Sequence, residues 1–254
     1  ELFAVGTCLY REPAQLGDGW DVASVWEVGL DPATICDVCD SLSTEEFRFL
    51  NSVLVARNGK LVLDEYPGLG PWRKQEIASI TKSFTSALVG IAVEDTLEIL
   101  DAPVFDFLPE YAHLRDPAKD GILIRHFLTM TAGFQWNESD VPYTDPTNDI
   151  NQGWMSGDMI GYVLGKPVVD EPGTVWNYSS GTTNIITRIL GDIVGGGREG
   201  MEAFLRGRLF EPTGMTSAIP KFDQVGTWVG SSYVYATARD FAKFGELYRH
   251  DGVT

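Results

Sequence analysis

Asn58-Gly59 sits between two runs in which apolar and polar residues alternate, SVLVARNGKLVLDE over 52–65. Alternation with a period of two marks a strand with one buried face. Asn-Gly between two such runs marks a tight hairpin, because a type I′ turn needs positive φ at both central positions. Two antiparallel strands are therefore committed early in the chain. A lone hairpin is marginal in water, and a stable sheet wants three or more strands. After residue 65 the sequence offers no further convincing strand pair. Either strands lie within 220–236, or the strands that complete the sheet are not in this sequence.

The rest of the chain reads as helix and loop. Residues 1–30 look irregular, with Gly17-Asp18-Gly19 as a turn. Asp31 as cap and Pro32 in the first turn open a helix that runs to about Leu42. Phe84, Leu88, Val89, Ile91 and Ala92 fall at helical spacing and predict a largely buried helix starting near Ser79. Further helices are predicted over 182–194, 200–210 and 237–249, the first two ended by Gly195-Gly196-Gly197 and Pro212-Thr213-Gly214. This pattern divides the chain into 1–95 (the start of an α/β domain), a mainly helical domain over 96–236, and a return helix over 237–254.

Charge and cysteine content narrow the function. With 19 basic and 36 acidic side chains the formal charge is −17. So negative a surface repels phosphate backbones and anionic membranes, so nucleic acid is not an expected partner. No apolar run approaches the ~20 residues of a membrane helix. The chain opens at Glu1 rather than Met and shows no signal peptide, which leaves export open. Cys8, Cys36 and Cys39 are too few for a disulfide framework. Cys36 and Cys39 form a C-x-x-C within a helical pattern, read as packed or free thiols. A disulfide or a metal site is the alternative, but no second pair or histidine partner supports a zinc site of about four ligands. No metal and no cofactor are expected.

Ser79-Ile80-Thr81-Lys82 is the sole S-x-x-K in the chain. Residues three apart on a helix share a face, so the Lys82 amine can reach the Ser79 hydroxyl. A serine hydroxyl is a weak nucleophile without an adjacent base. A lysine serves as that base when burial or nearby positive charge favours its neutral form. The first helical turn also offers free N–H groups, that of Ser79 included, to an oxyanion. Taken alone, the same spacing is commonplace on helix surfaces. Trp176-Asn177-Tyr178-Ser179-Ser180-Gly181 lies just before a helix and supplies a tyrosine able to relay protons at Ser79, although a tyrosine at a helix start is also ordinary core packing. Other chemistries lack their motifs. No G-x-S-x-G elbow accompanies His113, His126 or His250, and no H-E-x-x-H or P-loop is present. His126 reads as a hydrogen-bonded structural residue.

The order of hairpin, S-x-x-K at a helix start and a later tyrosine motif resembles the serine β-lactamase, penicillin-binding protein and carboxylesterase superfamily. IRHFLTMTAGFQWNE (124–138), WNYSSGTTNIITRIL (176–190), LFEPTGM (209–215) and GSSYVYATARDFAKFGELY (230–248) resemble its class C-like branch, which includes 6-aminohexanoate-dimer hydrolases. The resemblance implies an α+β fold: a β-lactamase/transpeptidase-like antiparallel sheet flanked by helices, plus a mainly helical domain. It also implies acylation of Ser79, with Lys82 and Tyr178 sharing general acid/base work. A periplasmic or secreted location is favoured by the resemblance only. The family's second motif is often Tyr-x-Asn; here its third position, a substrate-binding one, is Ser180, which disfavours β-lactams. Trp136 and Trp176, beside these motifs, are candidates to line an apolar acyl pocket. The family's third motif, Lys-or-His-x-Gly on a C-terminal strand, has no counterpart, so the C-terminal strands are expected to be absent from this chain or supplied by a companion chain.

The expected function is hydrolysis of a small ester or amide through a Ser79 acyl-enzyme. Two alternatives stand beside it: a penicillin-recognising protein that binds or is acylated without turnover, and a helical interaction module with a fortuitous S-x-x-K.

Overall fold

The computed structural model describes residues 2–5, 8–68, 70–94 and 97–253, and the Cys8 side chain lies outside what it describes. The expected hairpin is strands β4 (Val53–Arg57) and β5 (Lys60–Glu65), paired antiparallel. Asn58 and Gly59 take φ of 54° and 75°, the left-handed pair that the turn requires. Residues 1–30 are less irregular than the sequence suggests. They hold β1 (Leu2–Val5), β2 (Cys8–Arg11) and β3 (Asp21–Val22). β1 pairs with β2, while β3 runs parallel to β5, so β5 is the centre of a three-stranded sheet in the order β3-β5-β4. A two-residue strand carries no readable period, which is why β3 escaped the sequence.

A second small sheet has the order β6-β8-β7, from Gln75–Glu76, Val234–Ala236 and Ile219–Pro220. Its strands come from segments far apart in the chain and are too short to alternate visibly.

The chain forms two compact units. One comprises Glu1–Gln75, Phe210–Ile219 and Tyr235–Thr254; the other comprises Glu76–Leu209 and Pro220–Val234. These boundaries differ from those drawn at 95 and 236 from the sequence, because the segment from Glu76 joins the helical unit.

In the first unit, helix α1 (Pro32–Leu42) starts as expected: the Asp31 carboxylate accepts from the Ala33 and Thr34 N–H groups. It covers a core of Tyr10, Ala23, Val25, Val28, Ile35, Val62 and Leu63. Cys36 in that core is disulfide-bonded and Cys39 is a free thiol, so the C-x-x-C does not pair with itself. The expectation of packed or free thiols therefore holds for Cys39 and not for Cys36. Helix α8 (Ala238–Arg249) is held to the sheet by charge: Arg239 pairs with Asp64 and Asp18, and Lys243 bonds Asp240 and the Asp18 and Gly214 carbonyls.

The second unit holds helices α2 (Thr81–Ala92), α3 (Ile124–Leu128), α4 (Asp149–Met155), α5 (Met159–Leu164), α6 (Ser180–Val194) and α7 (Gly197–Leu205). The stretch expected as one helix over 200–210 is α7 followed by a wider π turn over Arg206–Phe210. Buried residues lie on nearly every side of the first three turns of α6, so this helix is central to its unit rather than half-exposed. No helix among the described residues is long and apolar enough to cross a membrane.

Candidate active site

Ser79 lies on a single 3₁₀ turn, Ala78–Ile80, that feeds directly into α2. Ala78 has φ of 46°, a left-handed conformation that costs a non-glycine residue of order 1–3 kcal/mol. The chain therefore bends sharply just before the nucleophile candidate and leaves its side chain half-buried, beside an exposed Ile80. Lys82 follows one turn later. Its Nζ is 3.0 Å from Ser79 Oγ, 3.0 Å from Ser180 Oγ and 2.8 Å from the Ser231 carbonyl oxygen. All three partners are uncharged. Tyr178 donates its hydroxyl to Ser79 Oγ at 2.5 Å, and its ring centroid is 4.8 Å from Lys82 Nζ.

Local hydrogen bonds put each of these groups in place. Tyr178 stands just before α6, where Ser179 caps the helix by accepting from the Thr182 N–H. Asn177 ties the segment down, its N–H donating to the Met130 carbonyl and its amide to that of Trp136. The Ser231 carbonyl is delivered by a turn pinned between α2 and α6. Thr85 donates to the Gly230 carbonyl at 2.9 Å. A Cβ on Gly230 would lie 2.3 Å from Thr187 Cγ2 and 2.5 Å from Thr85 Oγ1, so only glycine lets the turn come this close.

Beneath this layer lies a residue that sequence reasoning missed. Glu138 is 1% exposed, and its carboxylate accepts four hydrogen bonds. Trp136 Nε1 and the Ser180 N–H donate to Oε2 at 2.9 and 2.7 Å; Tyr143 and the Ser180 hydroxyl donate to Oε1 at 3.1 and 2.6 Å. Desolvation of its phenol, together with the Glu138 charge, pushes the Tyr143 hydroxyl up to about 12. The available signal was an acid in the apolar stretch AGFQWNE, but its partner Ser180 lies 42 residues downstream, beyond any local pattern.

Of the six residues singled out from the sequence, Ser79, Lys82, Tyr178 and Ser180 form one hydrogen-bonded cluster. Trp176 is 65% exposed and its ring is 6.3 Å from that of Tyr178, so it stands at the rim. Trp136 corrects the expectation of a pocket wall. It is 6% exposed and spends its indole N–H on Glu138, so it supports the site from below. His126 accepts the Leu123 N–H through Nδ1 at the start of α3. No group of three or more His, Cys, Asp or Glu among the described residues is placed to hold a metal ion.

This fold recurs in solved structures. A class C beta-lactamase from Rhodobacter sphaeroides superposes with a TM-score of 0.60 at 18% identity, covering 88% of this chain and 67% of its own. An octameric penicillin-binding protein homologue from Pyrococcus abyssi gives 0.59 at 18% identity, with coverage of 84% and 55%. These define a protein of β-lactamase/transpeptidase-like α+β architecture. The Beta-lactamase family profile matches residues 51–253, and the chain belongs to that family. A 6-aminohexanoate-dimer hydrolase from Paenarthrobacter ureafaciens is 26% identical over 94% of this chain, which spans 64% of that curated relative's length.

Proposed function

We propose that this protein is a serine hydrolase that cleaves a small ester or amide through an acyl-enzyme on Ser79. The observation that carries this is the double contact at Ser79 Oγ, with Lys82 Nζ at 3.0 Å and the Tyr178 hydroxyl at 2.5 Å. A base and an acid on one hydroxyl is what acyl transfer needs. As the neutral amine, Lys82 takes the Ser79 proton while Oγ attacks the carbonyl carbon. The Ser79 N–H, in the first turn before α2, faces the developing oxyanion. The Tyr178 hydroxyl then passes a proton to the departing alcohol or amine and is reprotonated from Lys82, which carries the proton taken from Ser79. In the second half-reaction a water replaces the leaving group and the proton transfers run in reverse.

The similarity to a 6-aminohexanoate-dimer hydrolase favours oligomeric or cyclic amides, along with carboxylesters, over β-lactams. Ser180 in place of an amide side chain points the same way. Trp176, whose ring lies by that of Tyr178, and Ile80, which follows Ser79 in the chain, are both exposed and offer apolar surface to an acyl chain.

Hydrolysis of p-nitrophenyl esters and labelling by a fluorophosphonate test the assignment. Ser79→Ala abolishes both. Lys82→Ala and Tyr178→Phe each cost about 10²–10⁴-fold in kcat with folding intact, the usual weight of one general acid or base. Labelling that persists in Ser79→Ala sinks the nucleophile. A burst equal to the enzyme concentration with no steady state selects acylation without turnover.

A further inference from the structure

Lys82 can act as a base only if its lone pair faces Ser79, and nothing in an amine fixes where its lone pair points. The surroundings must do so. A neutral amine has two N–H groups and one lone pair, and Lys82 Nζ has three partners. The Ser231 carbonyl only accepts, so it takes one N–H. The outcome then rests on Ser180, whose hydroxyl can either donate to Lys82 or accept from it. If it donates, it occupies the lone pair and Ser79 is left facing an N–H.

We propose that Glu138 is a positioning residue that decides this choice. Its Oε1 lies 2.6 Å from Ser180 Oγ, and a carboxylate can only accept. The Ser180 proton is therefore committed to Glu138, and Ser180 presents only lone pairs to Lys82. The two N–H groups of neutral Lys82 are consumed by Ser180 and Ser231, and the lone pair faces Ser79. The other bonds of Glu138 hold this polarity. Oε2 receives the Trp136 and Ser180 N–H groups, neither of which can accept, and Oε1 also takes the Tyr143 hydroxyl. With Glu138 almost fully buried, no water competes for the Ser180 proton. Ser180, read from sequence as a substrate contact, is on this account the relay between Glu138 and Lys82. The inference rests on Ser79 and Lys82 acting as nucleophile and base.

Glu138→Gln tests it with little change of shape. The two N–H donors at the Oε2 position hold the amide oxygen there, which places the amide NH₂ against Ser180 Oγ. Ser180 then accepts from Gln, and the partner left for its own proton is Lys82. Inactivation by a fluorophosphonate separates affinity (KI) from acylation (kinact). Glu138→Gln is expected to lower kinact about 100-fold with KI unchanged, within the range for a general base. Ser180→Ala removes the competing proton along with the hydroxyl and costs about 10-fold. In that background Glu138→Gln changes kinact by less than about 3-fold, a coupling that a merely structural role would not produce. Equal losses in both backgrounds, or no loss in the single variant, overturn the proposal. Ser79→Ala runs alongside: labelling that survives it overturns the nucleophile assignment itself, whatever Glu138 does. Neutron diffraction of the wild-type protein needs no variant to fold. A deuteron carried by Ser180 Oγ and aimed at Glu138 Oε1 is expected, with the one between Ser180 and Lys82 carried by Nζ; a deuteron carried by Ser180 Oγ and aimed at Lys82 Nζ refutes the scheme.

Discussion

Ala78 is one of four non-glycine residues that take a positive φ among the described residues, with Asn58, Met130 and Asp251. At φ of 46° its Cβ crowds the following carbonyl, and it immediately precedes Ser79. Strain of this kind persists only where the surroundings enforce it, and here it sets the angle at which Ser79 leaves the chain. Ala78→Gly removes crowding of order 1–3 kcal/mol but adds freedom to the unfolded chain, which costs about 0.5–1 kcal/mol. Stability should therefore stay level or rise by up to about 2 kcal/mol, while ester hydrolysis drops several-fold because the serine is less rigidly held. Chemical denaturation and initial rates on one preparation check both halves. A clear loss of stability would mean that Ala78 is not strained. The sequence could not reveal this position, since alanine before a helix looks ordinary. Ser79, Lys82 and Tyr178 were legible because spacing on a helix and a helix-start motif are local features. Glu138 was not, because a buried acid is recognised by its four donors, and one pair of those comes from residue 180. Trp136 was misplaced for the same reason: adjacency in sequence to a motif does not tell the rim of a site from its floor.

At the scale of elements, the glycines separate packing from propensity. Gly230 sits where a side chain would collide with Thr187, Thr85 and Trp228 at 2.3, 2.5 and 2.9 Å. Gly230→Ala must push the turn off α2 and α6, and overpacking of this sort costs about 1–3 kcal/mol. It should also draw the Ser231 carbonyl away from Lys82 and lower the rate of acylation. Gly245, inside α8, has open space around its would-be Cβ. Gly245→Ala should add about 0.5–1 kcal/mol from helix propensity alone, with no effect on rate. Urea midpoints for the two variants are expected to move in opposite directions, and a shared direction would refute the packing argument for Gly230. Elements of this kind divide by how local their causes are. The hairpin at Asn58-Gly59 and the capped start of α1 were readable because their turn and cap residues lie within the element. The parallel pairing of Asp21–Val22 with β5, and the sheet β6-β8-β7, depend on partners tens to hundreds of residues away and on strands of two or three residues. Binary patterning has nothing to register there.

For the molecule as a whole, a formal charge of −17 means mutual repulsion among surface carboxylates. Added salt shortens the screening length from about 30 Å at 0.01 M to about 10 Å at 0.1 M, so Tm should rise over that range. Acid acts through two further groups. Burial and the adjacent Arg125 hold the His126 imidazole below its ordinary value, where it accepts the Leu123 N–H as a neutral ring. Burial works to raise Asp149, but hydrogen bonds from Lys166, Tyr162 and the Asn137 N–H outweigh it and leave the carboxyl below its usual range. Both folded values lie beneath the unfolded ones, so both contributions are present at higher pH and fade as pH falls. The His126 contribution is complete above the unfolded imidazole value of about 6.5 and is lost on the way down to its folded value. That of Asp149 is complete above about 3.9 and fades only in stronger acid. Between pH 8 and 5, therefore, a histidine-dependent loss opposes the relief of repulsion as carboxylates near their titration range. The wild-type curve alone mixes the two. His126→Asn keeps a side-chain acceptor for the Leu123 N–H but cannot be protonated, and it leaves the surface carboxylates untouched. Subtracting its stability from that of the wild type at each pH should isolate the imidazole: a difference that is flat above about pH 7 and turns against the wild type below about 6.5. A difference that stays flat down to pH 5 would show that the ring is not held neutral at the start of α3.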